Sequence, residues 1–166
     1  MKIISFDPSL RHTGFYWHNG IDGNSGVIEP TGERIDSLAQ ILMEVSTITQ
    51  NLTSEWVCVV EGYAFAAKGQ AVTVQAEVGG IIRAVARVTG MHVIEIAPQQ
   101  WKAEIMGAVG CQLKKRTKAE IAEYLKWAHL STSQTFLTTH EADAYMMAEY
   151  IRRRNSIKEL FPKEAV

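Results

Sequence analysis

Cysteine is nearly absent from this chain: Cys58 stands inside an apolar run and Cys111 in an expected loop, each without a second thiol nearby. That spacing excludes a disulfide framework and a zinc site built on paired thiols, and it suits reduced thiols in a cytoplasmic protein. Long apolar runs are missing too. No stretch approaches the ~18 residues of a membrane-spanning helix, and the residues from Lys2 onward lack the basic, apolar and small-residue succession of an export signal. No membrane association is expected. Prolines number four, nothing repeats, and no Pro-, Gly- and Ser-rich linker divides the 166 residues. One domain over residues 1–166 follows, with residues 155–166 as a loose tail. Nor is there an excess of either charge. The 17 Lys and Arg against 18 Asp and Glu leave a net charge of −1, so the chain has no overall basic field of the kind that draws proteins to nucleic acid.

What is present is an ordinary globular composition, 46% hydrophobic and 21% charged, with clear local patterning. Ile3 to Asp7 is a short apolar run ending in an acid before Pro8, and it reads as a first, buried strand. Gly14 to His18 and Ser25 to Glu29 flank the turn signals Asn19-Gly20 and Asp22-Gly23, which predicts antiparallel second and third strands. From Gly32 to Leu52 the residues Ile35, Leu38, Ile41, Leu42, Val45, Ile48 and Leu52 recur at helical spacing and predict one buried stripe. Trp56 to Val60 is apolar throughout and ends in Glu61, as suits a central strand covered on both faces. Gln70 to Thr89 reads as a helix in spite of Gly79 and Gly80, Met91 to Ile96 as a fifth strand, and Pro98 as the opening of a helix through Trp101 and Lys102. A helix from about Thr117 to Trp127 and a last one from Thr138 to Arg154 complete the chain. In the last helix Thr138 and Glu141 have the spacing of a capping box. The fold class is therefore α/β: a five-stranded mixed sheet, its first three strands antiparallel and the fourth and fifth parallel to the first, flanked by helices.

Two strands that end in acids present Asp7 and Glu61 at one edge of the sheet if the first and fourth strands are parallel neighbours. His140 and Asp143, three apart on a helix, project from one face toward a common point. Carboxylates gathered in this way repel one another unless a cation intervenes, and oxygen-rich ligation favours Mg²⁺, with Mn²⁺ able to substitute. Two such ions roughly 4 Å apart can clamp the attacking and departing oxygens of a phosphodiester displacement. Taken singly, Asp7 could also start a turn and His140 could be an exposed residue of a helix start. Glu141 is accounted for by its capping role and is not counted as a ligand. The aromatic and basic stretch with Tyr63, Phe65 and Lys68 could stack on an unpaired base and hold a phosphate, or be a surface loop. Local basic patches, Lys114, Lys115, Arg116 and Lys118 in one and Arg152, Arg153 and Arg154 in another, could contact phosphates.

Several separated motifs together resemble the RuvC-type Holliday-junction resolvases of the RNase H-like superfamily. They are Phe6-Asp7-Pro8-Ser9 with Thr13-Gly14, Val60-Glu61 before an aromatic and lysine loop, Ala97-Pro98 with Trp101-Lys102, Lys118, and His140-Glu141-Ala142-Asp143-Ala144. The resemblance implies an RNase H-like fold and a metal site of Asp7, Glu61, His140 and Asp143. In that site Asp7 is shared between two ions, Glu61 serves one side, and Asp143 with His140 the other. It further implies catalytic lysines at Lys102 and Lys118, a homodimer with the Gln70 to Thr89 helix near its interface, and four-way DNA junctions cut by symmetric nicks. Ser9 where glycine is common, a longer linker before Lys118 and a less basic chain mark a divergent member. Two other readings remain: a broader nuclease acting on flaps, branched DNA or RNA, and a junction-binding protein without catalysis.

Overall fold

Alternation along two parallel strands decides where everything else packs. A computed structural model describes residues 1–62, 70–107, 112, 113, 115 and 117–154. Cys111 and the tail from 155 lie outside the described residues. Strands β1 (Lys2–Asp7), β2 (Thr13–His18), β3 (Gly23–Ile28), β4 (Trp56–Glu61) and β5 (His92–Ile96) form one sheet in the order β3-β2-β1-β4-β5. β1 pairs antiparallel with β2 and parallel with β4, and β4 pairs parallel with β5. The mixed sheet expected from the sequence is therefore present. Around it run helices α1 (Arg34–Thr49), α2 (Gln70–Val88), α3 (Pro98–Trp101) with a π-helical turn (Lys102–Met106), α4 (Lys118–Thr132) and α5 (Thr139–Arg154).

Successive side chains of a strand point to opposite faces, so each face collects every second residue. Ile4, Phe6, Cys58 and Val60 pack with Ile41 and Val45 of α1 and Val78 and Ile82 of α2. Ile3, Val57 and Val59 pack on the other face with Trp101, Tyr124 and a row of α5 residues that includes Ala144, Met147 and Ala148. Small residues let α5 lie close to the sheet. Ser5, fully buried, donates its hydroxyl to the Ala144 carbonyl at 2.6 Å and ties β1 to the middle of that helix. Burial also pushes the free Cys58 thiol up to about 12, which keeps it an inert neutral group.

Two expectations shift in detail. In α1 the buried residues are Ser37, Ile41, Val45 and Thr49, whereas Ile35 and Leu42 are exposed. At about 100° per residue, Ile35 falls nearly opposite Ser37, so apolar character alone did not mark the inner face. α4 also continues beyond Trp127 to Thr132, because Ala128 still packs into the core; it stops at Ser133, whose φ of 59° is left-handed. Its start is as expected, with Thr117 and Glu120 forming a reciprocal cap.

Candidate active site

The parallel register of β1 and β4 brings Phe6 opposite Val60, so Asp7 and Glu61 follow one step beyond that pair at the same end of the sheet. Both have the parity of the α5 face. Asp7 and Glu61 are each 7% exposed and Asp143 is 3% exposed. An acid this deeply buried needs a partner, and each of the three has one.

His140 Nδ1 lies 2.6 Å from Asp7 Oδ2. This hydrogen bond raises the imidazole pKa above its ordinary value against the opposing effect of burial. The contact depends on Gly14, which pairs with Asp7 across β1 and β2. A Cβ on Gly14 would fall 2.2 Å from the His140 carbonyl oxygen. No side chain fits there, so glycine alone lets the start of α5 approach the strand end. Thr13 secures the intervening turn, accepting from Ser9 N and donating to Ser9 O. The helix start is held by Glu141, whose Oε2 accepts from Leu137 N and Thr138 N while Thr138 Oγ1 accepts from Glu141 N. The capping role expected for Glu141 is what the structure contains, and Ser25 adds a bond to its other oxygen at 3.2 Å.

Glu61 accepts from the buried Trp101 indole N–H at 3.1 Å. Burial, reinforced by the charges of Asp7 and Asp143, lifts its carboxyl from 4.5 to about 8, with Lys102 and the indole bond opposing. Its carboxyl is therefore held well above the usual carboxylate range. Lys102 lies on the π-helical turn, its Nζ 5.0 Å from the centre of the Trp101 ring. Asp143 receives the Tyr124 hydroxyl on Oδ1 and the Lys115 ammonium on Oδ2. Burial and the adjoining acids raise the Tyr124 pKa far above 10, so it remains a donor.

Asp7, Glu61, His140 and Asp143 are therefore brought to one end of the sheet, with Lys102 beside them. Lys118 is exposed at the first position of α4 and takes no part in these hydrogen bonds. Tyr63, Phe65, Lys68, Lys114 and Arg116, expected at a DNA surface, lie outside the described residues. Lys115 is the difference: expected at phosphate, it is ion-paired inside the acidic cluster. The arginine run is elsewhere too. At ~1.5 Å per residue α5 carries it roughly 20 Å from His140, and there Arg152 and Arg153 pair with Glu149 and Arg154 with Glu104. Tyr124 and His12 were missed by sequence reasoning, and Trp101 was marked only as part of the motif with Lys102, without its role at Glu61. His12 stacks on His140 with centroids 5.8 Å apart and reaches Glu29 at 3.2 Å.

Among the described residues, no three His, Cys, Asp or Glu side chains are disposed to hold a metal ion as they stand. The donor set nevertheless suits a divalent cation. Three buried carboxylates perturb one another, as the rise at Glu61 records, and a doubly charged ion is the species that relieves such repulsion.

No family model and no curated protein matches the sequence. Solved structures are similar in fold. A RuvC structure from Thermus thermophilus shares 17% identity at a TM-score of 0.63, covering 94% of this chain and 98% of that one. RuvC from the same organism in complex with a Holliday junction substrate shares 16% at a TM-score of 0.67, covering 94% and 97%. The chain has the RuvC-like, RNase H-like fold.

Proposed function

We propose that the chain is a divalent-metal-dependent endonuclease that resolves four-way DNA junctions by paired symmetric nicks. The observation that supports it best is the gathering of Asp7, Glu61, His140 and Asp143 at one end of a sheet. The fold is shared with a RuvC solved on a Holliday junction substrate. Asp7, Glu61, Asp143 and His140 would hold two Mg²⁺ or Mn²⁺ ions, with Asp7 as the ligand common to both. When bound, these ions supply Lewis acidity to an attacking water and to the departing 3′ oxygen.

The chain's own residues perform the rest. Trp101 fixes the Glu61 carboxylate through the indole N–H, and Tyr124 fixes Asp143. Lys102, close enough to bias Glu61, and Lys118, exposed at the start of α4, are the cations offered to the scissile phosphate and its neighbours. Burial at the acids excludes water and strengthens each of these interactions. A homodimer built near α2 would set two such sites about a two-fold axis matching that of a junction.

The test is cleavage with Mg²⁺ of matched four-way, flap, duplex and RNA–DNA hybrid substrates. Symmetric nicks in the four-way junction, leaving 5′-phosphate and 3′-hydroxyl ends, are expected. Asp7→Asn should bind the junction normally and lose cutting by at least about a thousandfold, since it removes the shared ligand. Equal cutting of all substrates would sink the junction claim, and an inactive wild type with both Mg²⁺ and Mn²⁺ would sink the nuclease.

A further inference from the structure

The acidic cluster already contains a cation, and it belongs to the chain. Lys115 Nζ donates to Asp143 Oδ2 and lies 4.6 Å from the centre of the Tyr124 ring. The aromatic face and the carboxylate together make a seat for an ammonium group. Tyr124 donates to the other oxygen of Asp143, so neither oxygen of this 4%-exposed side chain lacks a partner. Burial alone would lower the Lys115 pKa; Asp143, Asp7 and Glu61 outweigh it and raise it. The ammonium thus lies in the field of all three acids. A surface lysine that merely follows a basic run has no reason to be 28% exposed and turned onto a buried aspartate.

We propose that Lys115 is a tethered counter-ion that holds the Asp143 side of the site, so that a divalent ion binds there only as Lys115 leaves. The inference rests on reading the acids as metal ligands. An ion on the Asp143 side and an ammonium on Asp143 Oδ2 compete for one lone-pair region, and two positive charges that close repel one another. Occupancy of that side is therefore coupled to the position of Lys115. On the Glu61 side the partners among the described residues are neutral, the Trp101 indole and the Gln75 amide, and no ammonium of those residues is hydrogen-bonded to that acid. The two ions are accordingly expected to bind with unequal affinity, the weaker on the Asp143 side.

Mn²⁺ binding to the full chain, followed by electron paramagnetic resonance and calorimetry, tests this without any cleavage. Lys115→Met, which keeps the bulk of the stem without the charge, should tighten the weaker Mn²⁺ site at least tenfold. Lys115→Arg should leave that site as weak as in wild type or weaker. An unchanged or weaker site in folded Lys115→Met overturns the inference. Should that variant fail to fold in EDTA, the wild type gives the answer through acetylation of the Lys115 amine mapped by mass spectrometry. Slow labelling in EDTA and several-fold faster labelling with saturating Mn²⁺ support the displacement, and equal rates overturn it. Mn²⁺ binding that is lost in Asp7→Asn but indifferent to Lys115 overturns this inference alone. No Mn²⁺ binding to wild type or to Lys115→Met overturns the metal reading with it.

Discussion

Replacing Glu61 by glutamine should stabilise the ion-free protein while destroying its response to metal. Glu61 is 7% exposed, and its carboxyl is lifted from 4.5 to about 8, chiefly by burial and then by Asp7 and Asp143. A carboxyl held above its unfolded value binds its proton more tightly in the folded state. The stability this contributes is intact below about pH 4.5, falls as the pH rises, and is gone above about 8. At roughly 1.4 kcal/mol per pH unit the full span has a ceiling of about 5 kcal/mol. Relaxation and water entry around the ionised group reduce what is observed, and about 2 kcal/mol is the working expectation. Glutamine has the same shape and no charge, and its carbonyl can still accept from Trp101. Urea denaturation in EDTA, read by tryptophan fluorescence, should show Glu61→Gln and wild type nearly equal at pH 4.5. At pH 8.5 the variant should be more stable by about 2 kcal/mol, a Tm difference of roughly 4–8 °C for a domain of this size. Saturating Mn²⁺ should reverse the order, because only wild type offers an anionic ligand there. A stability gap that does not change with pH, or a wild type that is more stable at pH 8.5 in EDTA, would refute the reasoning.

Gly14→Ala places a Cβ 2.2 Å from the His140 carbonyl oxygen. Because the obstacle is backbone, the start of α5 must move, at a cost of about 2–3 kcal/mol. Thermal melts should fall accordingly and stabilisation by Mn²⁺ should shrink; a variant that melts within a degree of wild type with full Mn²⁺ response contradicts the close approach. Junction affinity should fall linearly with log salt, and Lys118→Ala should reduce the magnitude of that slope by about 1 if the lysine contacts a phosphate. Fluorescence anisotropy over a salt series gives both slopes, and equal slopes remove Lys118 from the phosphate surface.

The sheet and the acids were legible because their signals are local. Short apolar runs, a terminal acid and the Asn19-Gly20 turn are each read within a few residues, and the parallel pairing of β1 with β4 is the arrangement on which the reading of the two acids depended. The start of α5 was equally plain, since Thr138 and Glu141 satisfy each other. The environment of each acid was not. Lys115 reaches Asp143 across 28 positions and Trp101 reaches Glu61 across 40, and no periodicity links residues so far apart. Lys115 sits in a run of cations whose local pattern says only that it is basic. The inner face of α1 was blurred for a different reason: Ser37 and Thr49 are buried there although polar, while Ile35 is 75% exposed. The Thr49 hydroxyl meets its need by bonding back to the Val45 carbonyl at 2.8 Å, which is how a polar side chain occupies an apolar face.

Strand alternation in β1 and β4 has a consequence for how such a protein can change. The sheet is a partition: Asp7 and Glu61 look toward α5, and Ile4, Phe6, Cys58 and Val60 look toward α1 and α2. A substitution beneath α1 or α2 is felt by apolar neighbours that can repack, while the backbone hydrogen bonds of five strands shield the carboxylates from that adjustment. One side of the partition is free to drift and the other is not. An inserted or deleted residue within β1 breaches it, because a one-residue slip would turn Asp7 toward α1 and α2 and bring Phe6 or Pro8 into its place. Length, more than composition, is what these two strands must keep.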